Sequence, residues 1–305
     1  MSFHKTAIKR MGEYKESALY LSNEIRAYTT KYRGQLRKHI LPEPKWNLIE
    51  TNLPYFEEIK RGTNEVSGLK IPKYFCHMTS SQAMAVNFFY PMIRHNKINS
   101  VLKAIGINNE VANPAQKIQF EYKSSIDGNR SSIDVYIPLM NERGVYVEVK
   151  FSESEFGRNQ SKDWDNFYKK YYNAARVVFP DIVNEQDQES RRWCLSNYQI
   201  IRNTVHTLGE ETNLALQKSR DPNIDSGKFL PYNYIVFLYP AHNKSLHYQV
   251  EKAHSSLADD HLRSHVILKH WEDLLNDLDH EMRGDSELEL LGQEFRGKYF
   301  FWDRN

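Results

Sequence analysis

The sequence predicts an α/β fold in which a mixed sheet is flanked by helices on both sides. Three observations predict this fold. Three runs with alternating apolar residues follow one another between residues 117 and 151. A helical stretch precedes them, and further helical stretches separate them from a buried-type apolar run at 232–240. The order of helix, three antiparallel strands, helix and strand indicates a mixed sheet.

The N-terminal part of the chain is predicted to be helical. Residues 6–40 contain no proline and place apolar residues at roughly helical spacing, so we expect one long helix or two stacked helices. Pro42 and Pro44 end this stretch. We divide the chain into an N-terminal helical region (1–70), a core (71–250) and a C-terminal helical extension (251–305), since the residues from 254 onward also look helical.

The core begins with two helices and continues with a meander of three strands. Ser80 or Ser81 is the expected N-cap of the first helix, and the second helix stops at Gly106. The strands are "KIQFEYKSS", "SSIDVYIPL" and "GVYVEVKF". The dipeptide Asp127-Gly128 predicts a tight turn between the first two strands, and "NERG" lies between the second and third.

Composition places the chain among ordinary globular proteins. It has 305 residues, of which 40% are hydrophobic and 26% are charged. No apolar run reaches membrane-spanning length, and the first residues contain no signal-peptide core. Cys76 and Cys194 make neither a disulfide framework nor a zinc site, so we expect a reducing cytoplasm and no membrane partner.

Charge is distributed unevenly although the net charge is only +2. Residues 1–46 carry ten Lys and Arg against four Asp and Glu, whereas residues 271–290 carry eight acids against one Arg. This asymmetry is typical of a protein that presents a basic face to a polyanion. The alternative is a pair of solvated helices with ordinary surface charge.

Three carboxylates are predicted to form a row across the meander. If Asp127-Gly128 form a two-residue hairpin turn, Glu121 lies opposite Asp134. If the next turn is centred on Asn141, Asp134 lies opposite Glu148. Directly opposed side chains lie about 5 Å apart at Cβ. A slip of one residue in either turn would move a carboxylate to the other face.

A carboxylate row of this kind favours a divalent cation. Like charges repel, and Mg²⁺ prefers oxygen ligands. An ion held by Asp134 and Glu148 can polarise a phosphate oxygen and lower the pKa of a bound water, while Lys150 positions or deprotonates the water. These parts suit phosphodiester hydrolysis. The alternative is a surface salt-bridge cluster worth well under ~1 kcal/mol per pair.

The same residues resemble the PD-(D/E)xK nuclease superfamily, whose fold is the restriction-endonuclease-like core (αβββαβ). Asp134 is followed after thirteen residues by Glu148-Val149-Lys150, with Ile133 in place of the usual preceding proline. The segments "HMTSSQAMAVNFFYPM", "FEYKSSIDGNRSSIDVYI" and "VYVEVKFSESEFG" are more specifically similar to a bacterial branch of restriction endonucleases. The resemblance covers roughly residues 75–240.

The resemblance implies a set of site residues. Asp134 and Glu148 would bind Mg²⁺, for which Mn²⁺ substitutes, with the Val149 carbonyl as a third ligand. Lys150 would be the catalytic lysine. Many members add an acid on the first core helix, but residues 77–96 contain none. Gln82 stands in that kind of place, and Glu121 is our substitute candidate.

Two functional hypotheses follow. The first is a Mg²⁺-dependent DNA endonuclease with a restriction or defence role, whose N-terminal basic helices help to hold DNA. Such an enzyme could work as a homodimer, since cutting both strands needs two sites. The second is a non-catalytic nucleic-acid-binding module that keeps the nuclease fold. The intact Asp134, Glu148 and Lys150 argue against the second.

Overall fold

A five-stranded sheet lies at the centre of the protein, which we describe from a computed structural model. The structure describes residues 2–32, 34–123, 132–141, 143–157, 164–184, 186–208 and 233–301. The strands are β1 (Thr30–Tyr32), β2 (Gln35–Arg37), β3 (Gln119–Lys123), β4 (Ser132–Pro138), β5 (Gly144–Val149), β6 (Tyr234–Tyr239) and β7 (Val266–His270).

Helices precede, separate and follow the strands of this sheet. They are α1 (Phe3–Ser17), α2 (Asn23–Ala27), α3 (Phe56–Arg61), α4 (Ser81–Arg94), α5 (Ile98–Ala104), α6 (Trp164–Phe167), α7 (Asn173–Val178), α8 (Gln188–Ser196), α9 (Tyr198–Thr207), α10 (Lys244–Ser255), α11 (Asp260–His265), α12 (Trp271–Met282) and α13 (Ser286–Tyr299). Short 3₁₀ helices span Pro44–Asn47, Glu50–Tyr55 and Lys73–Cys76, and a π-helical turn spans Tyr168–Tyr172.

The sheet is mixed, with the order β3-β4-β5-β6-β7. Strands β3, β4 and β5 form an antiparallel meander, whereas β6 and β7 run parallel to β5. The predicted α/β class with a mixed sheet flanked by helices is therefore confirmed. Ser80 is the N-cap of α4, and its hydroxyl accepts a hydrogen bond from the Ala83 N–H.

The predicted strand register is also confirmed. Val135 pairs with Phe120 on β3 and with Val147 on β5. Both pairings follow the registers expected from the two turns. The Asp127-Gly128 turn itself lies outside the described residues. The meander therefore opposes Asp134 to Glu121 on one side and to Glu148 on the other.

The prediction that helix continues to residue 40 is wrong. Helix α2 ends at Ala27, and the strands Thr30–Tyr32 and Gln35–Arg37 form the antiparallel β1–β2 hairpin. Thr30 is β-branched, which favours extended backbone, and Gly34 turns the chain with φ +75°. The region 1–70 therefore contains a hairpin as well as helices.

The prediction that the chain is helical from residue 254 onward is wrong at one element. Residues Val266–His270 form β7, which pairs in parallel with β6. The run Val-Ile-Leu begins this strand, and two of these three residues are β-branched. The predicted boundaries at residues 70 and 250 stay predictions.

Two hydrophobic clusters cover opposite faces of the sheet. Val236 and Leu238 belong to the cluster formed with α1, α4, α12 and α13. Phe237 and Tyr239 belong to the cluster formed with α7, α9 and α10. Alternating residues of β6 thus point to the two faces. Among the described residues, no helix has the length and apolar character needed to cross a membrane.

A buried asparagine links the N-terminal, central and C-terminal parts. Asn87 of α4 is fully buried, and its Oδ1 accepts a hydrogen bond from the Ile49 N–H at 3.0 Å. Its Nδ2 donates to the Asn47 carbonyl at 3.0 Å and to the Tyr299 hydroxyl at 2.8 Å. These bonds join segments that are more than two hundred residues apart in sequence.

We expect Asn87→Leu to lower the free energy of unfolding by about 3 kcal/mol, because it leaves buried polar groups without partners. Thermal or urea unfolding monitored by circular dichroism measures the change. The exposed Asn108 provides the matched control, since Asn108→Leu should change stability by less than about 0.5 kcal/mol. Equal effects of the two substitutions would contradict this account of the Asn87 bonds.

Candidate active site

The confirmed register brings the predicted acids to one face of the sheet. Beyond the last backbone pair, Val135 with Val147, the next positions are Asp134 and Glu148. Alternation along β5 then places Lys150 on the same face as Glu148. The structure therefore brings together the acids and the lysine that the sequence predicted.

Glu148 and Lys150 form a buried ion pair. Lys150 Nζ donates to Glu148 Oε1 at 2.7 Å, and the two residues are 7% and 2% exposed. Burial by itself lowers the pKa of Lys150, but the carboxylates of Glu148, Glu153 and Asp134 together raise it above its ordinary value. The lysine therefore keeps its proton in this setting.

Two amides of α9 complete the surroundings of Glu148. Gln199 Nε2 donates to Oε1 at 2.6 Å, and Asn203 Nδ2 donates to Oε2 at 2.8 Å. Residues four apart lie on the same helix face, so α9 presents both amides to the sheet. Sequence reasoning did not assign these residues to the site. Their signal was the four-residue spacing of two amides within the helical run "YQIIRNTVHTL".

Asp134 lies where the β4–β5 ladder stops. Its Oδ2 accepts a hydrogen bond from the Val149 N–H at 2.7 Å, which fixes the carboxyl group beside the end of β5. Removal from water raises the pKa of Asp134, and the carboxylates of Glu148 and Glu121 raise it further. The ionised form of Asp134 is therefore disfavoured next to another carboxylate.

Glu121 reaches the same face through an unusual backbone. Its φ is +52°, a left-handed value that costs about 1 kcal/mol or more for a residue other than glycine. Its Oε2 accepts a hydrogen bond from the Ser132 hydroxyl at 2.6 Å. Burial raises the pKa of Glu121, and the carboxylate of Glu148 raises it further.

Gln82 lies beside this carboxylate. Its amide lies close enough to Glu121 to lower the pKa of that carboxyl group slightly. Gln82 is 4% exposed, and neither polar atom of its amide has a hydrogen-bond partner of normal geometry among the described residues. A buried amide of this kind is available to a ligand at the site.

Two further residues border the site. Glu153 Oε2 accepts a hydrogen bond from the Phe151 N–H at 2.8 Å, so Glu153 caps the chain locally and also faces Lys150. Tyr74 is 57% exposed; burial raises its pKa, and the carboxylates of Glu121 and Asp134 raise it further. Tyr74 was not predicted, because nothing in its local sequence links it to the meander.

The arrangement fits a hard divalent cation. Within the described ranges, no group of three or more His, Cys, Asp or Glu side chains could by itself hold a metal ion. Mg²⁺ usually binds one or two carboxylates and completes its shell with water and substrate phosphate. Asp134 and Glu148 match that donor set. The role of the Val149 carbonyl stays a prediction.

We expect Asp134→Asn to raise the thermal unfolding temperature of the metal-free protein at pH 8. The raised pKa means that the folded state binds the proton more tightly than the unfolded state. The ionised carboxyl group of Asp134 therefore destabilises the fold. This loss of stability grows as pH rises from the pKa of Asp134 in the unfolded chain to its higher pKa in the folded chain. The stabilisation should shrink towards pH 4, as differential scanning calorimetry at several pH values would measure. Stabilisation that is independent of pH would contradict this reasoning.

We expect Asn203→Ala to lower the free energy of unfolding by about 2 kcal/mol, because a buried carboxylate oxygen loses a charge-assisted hydrogen bond. Urea unfolding measures this loss. Asn173→Ala, at an exposed position on α7, is the matched control and should cost almost nothing. Equal urea midpoints for the two variants would show that Asn203 does not stabilise the Glu148 carboxylate.

Comparison with known proteins gives one finding. Residues 9–300 match the family described as restriction endonuclease associating with ARP (REase-ARP). No curated protein and no solved structure matches the chain. The family name indicates a nuclease role, which agrees with the resemblance seen in the sequence. Because the match spans nearly the whole chain, the protein belongs to the REase-ARP family of restriction endonucleases.

Proposed function

We propose that the protein is a Mg²⁺-dependent DNA endonuclease that hydrolyses phosphodiester bonds. The observation that carries the proposal is the buried Glu148–Lys150 pair with Asp134 beside it. A charged lysine next to two carboxylates on one sheet face suits a reaction that develops negative charge on a phosphate. The family membership supports the same reaction class.

Asp134 and Glu148 would hold the metal in this proposal, and Gln82 and Glu121 would border it. When bound, Mg²⁺ polarises a phosphate oxygen and makes a water molecule more acidic. Asp134 is already oriented by the Val149 N–H, and Glu148 is oriented by the amides of α9. Both carboxylates are therefore held in place before a substrate arrives.

Lys150 would act as a donor of hydrogen bonds and positive charge. Its Nζ is paired with Glu148 at 2.7 Å and lies over the Phe156 ring at 5.5 Å. Its backbone is fixed as well, because its N–H donates to the Leu238 carbonyl at 2.9 Å. From this position the ammonium can orient the attacking water and stabilise the charge on phosphorus.

A cavity beside Lys150 provides room for a substrate phosphate. Its volume is about 350 Å³, and its lining includes Lys150, Gln199, Glu153 and His4. His4 comes from the N-terminal helix α1, so the basic N-terminal region reaches the site. This contact supports the expectation that N-terminal residues help to hold DNA.

The N-terminal region also contains a basic cavity of its own. It has a volume of about 340 Å³ and is lined by Lys15, Arg26 and Lys38, with Glu16 as its acid. Contacts between basic side chains and phosphates supply most of the sequence-independent affinity of proteins for DNA. The family description also names association with ARP, and we therefore propose ARP as a partner of this chain. A homodimer and a cytoplasmic location stay expectations from the sequence.

We expect plasmid cleavage in the presence of Mg²⁺ to fall at least about 100-fold in Lys150→Met and in Asp134→Asn. Gel electrophoresis of the plasmid over time measures the rate. Lys252→Met, at an exposed position on α10, is the matched control and should cleave like the wild type. Cleavage that persists in both site variants would refute the assignment of these residues.

The second hypothesis, a non-catalytic module, predicts a different result in the same assay. It predicts DNA binding by the wild-type protein without cleavage at any concentration of Mg²⁺ or Mn²⁺. The intact Asp134, Glu148 and Lys150 argue against it, since a decayed site would be expected to lose Glu148 or Lys150 first.

A further inference from the structure

Three tyrosines lie beside the carboxylate row on the same face of the sheet. We call Tyr122, Tyr136 and Tyr146 the tyrosine shelf. Tyr136 pairs with Tyr146 across β4 and β5, two residues along from Asp134 and Glu148. Two residues of a strand span about 7 Å, so the shelf adjoins the carboxylates directly.

The rings of the shelf contact one another. The centroids of Tyr122 and Tyr136 are 4.4 Å apart, with an interplanar angle of 25°, and those of Tyr136 and Tyr146 are 5.0 Å apart. The Tyr136 ring lies across Gly144, where a Cβ would come within 2.2 Å of Tyr136 Cε2. All three side chains are half-buried, so the rings also keep exposed surface.

The backbone of Glu121 explains how Tyr122 joins this shelf. In a regular strand Tyr122 would share the face of its partner Ile133, opposite to the face of Asp134. The φ of +52° at Glu121 interrupts that alternation. As a result, the carboxylate of Glu121 meets Ser132 while the ring of Tyr122 stacks on Tyr136. One strained residue thus places an acid and an aromatic ring on the same surface.

We propose that the tyrosine shelf stacks on an unpaired base of the DNA substrate, next to the phosphate bound at the proposed metal site. This inference rests on the proposed nuclease function and names its substrate class. Aromatic side chains stack on bases without regard to sequence, but both faces of a paired base inside a duplex are already covered. A shelf beside the reacting phosphate therefore favours DNA with a single-stranded tail, a flap or an unpaired nucleotide.

The test compares two fluorescent DNA hairpins, one with a single-stranded tail and one that is fully paired and blunt. Affinities are measured by fluorescence anisotropy in EDTA, where no metal-dependent cleavage occurs. Wild type should prefer the tailed hairpin. Tyr122→Leu should reduce that preference by about 5- to 150-fold, the equivalent of one lost base stack, whereas Tyr122→Phe should keep it.

Two controls make the result specific. Tyr248 is a tyrosine on α10 that is 68% exposed, and Tyr248→Leu should leave the preference unchanged. Tyr122→Leu should keep the wild-type affinity for the blunt hairpin, which shows that the sheet remains folded. In addition, 2-aminopurine placed in the tail should lose fluorescence when the hairpin binds to wild type. An unchanged signal would overturn the proposal, and this measurement needs no variant protein.

The possible results separate this inference from the proposed function. Equal affinity of wild type for both hairpins, or an unchanged preference in Tyr122→Leu, overturns the shelf even if Lys150-dependent plasmid cleavage persists. A preference for the tailed hairpin that depends on Tyr122 supports the shelf even if plasmid cleavage is absent. In that case only the proposed nuclease function is refuted. Failure to bind either hairpin overturns the shelf, and the plasmid assay with Mg²⁺ then decides the nuclease function separately.

Discussion

The burial of the Glu148 carboxylate is the constraint on which the rest of the site depends. Glu148 is 2% exposed, and an unpaired charge at such a position would cost several kcal/mol. Lys150, Gln199 and Asn203 together give it three hydrogen bonds of 2.6 to 2.8 Å. These donors come from the end of β5 and from α9, so the charge fixes how that helix packs on the sheet. The fold and the candidate chemistry therefore depend on the same contacts.

The charges of the two neighbouring acids, Asp134 and Glu121, are not stabilised in the same way. Asp134 and Glu121 both have raised pKa values, since burial and nearby carboxylates disfavour their charged forms. Selection for stability alone would remove such repulsion, and sites that keep it are usually functional. The left-handed backbone of Glu121 adds a second cost at the same place. Both costs lie within one small area of the sheet, at the residues of the sequence motif.

The sequence predicted the meander and its register because both follow from local rules. Turn position and the two-residue repeat of strands sufficed to oppose Asp134 to Glu148. The β1–β2 hairpin and β7 were missed because they are short, and their strand signals lie within stretches that also resemble helix. Gln199 and Asn203 were missed because their role arises only when α9 folds back over β5. Such contacts across fifty residues leave little trace in one sequence.

Diffraction from crystals soaked in Mn²⁺ is the most direct test of the central claim that these acids converge on one hard cation. We expect an anomalous difference peak between the carboxylates of Asp134 and Glu148, at a distance that allows both to bind the ion. The same peak should be absent from crystals of the Asp134→Asn variant. Saturating Mn²⁺ with no peak at these residues, or a peak that persists in the variant, would contradict the account.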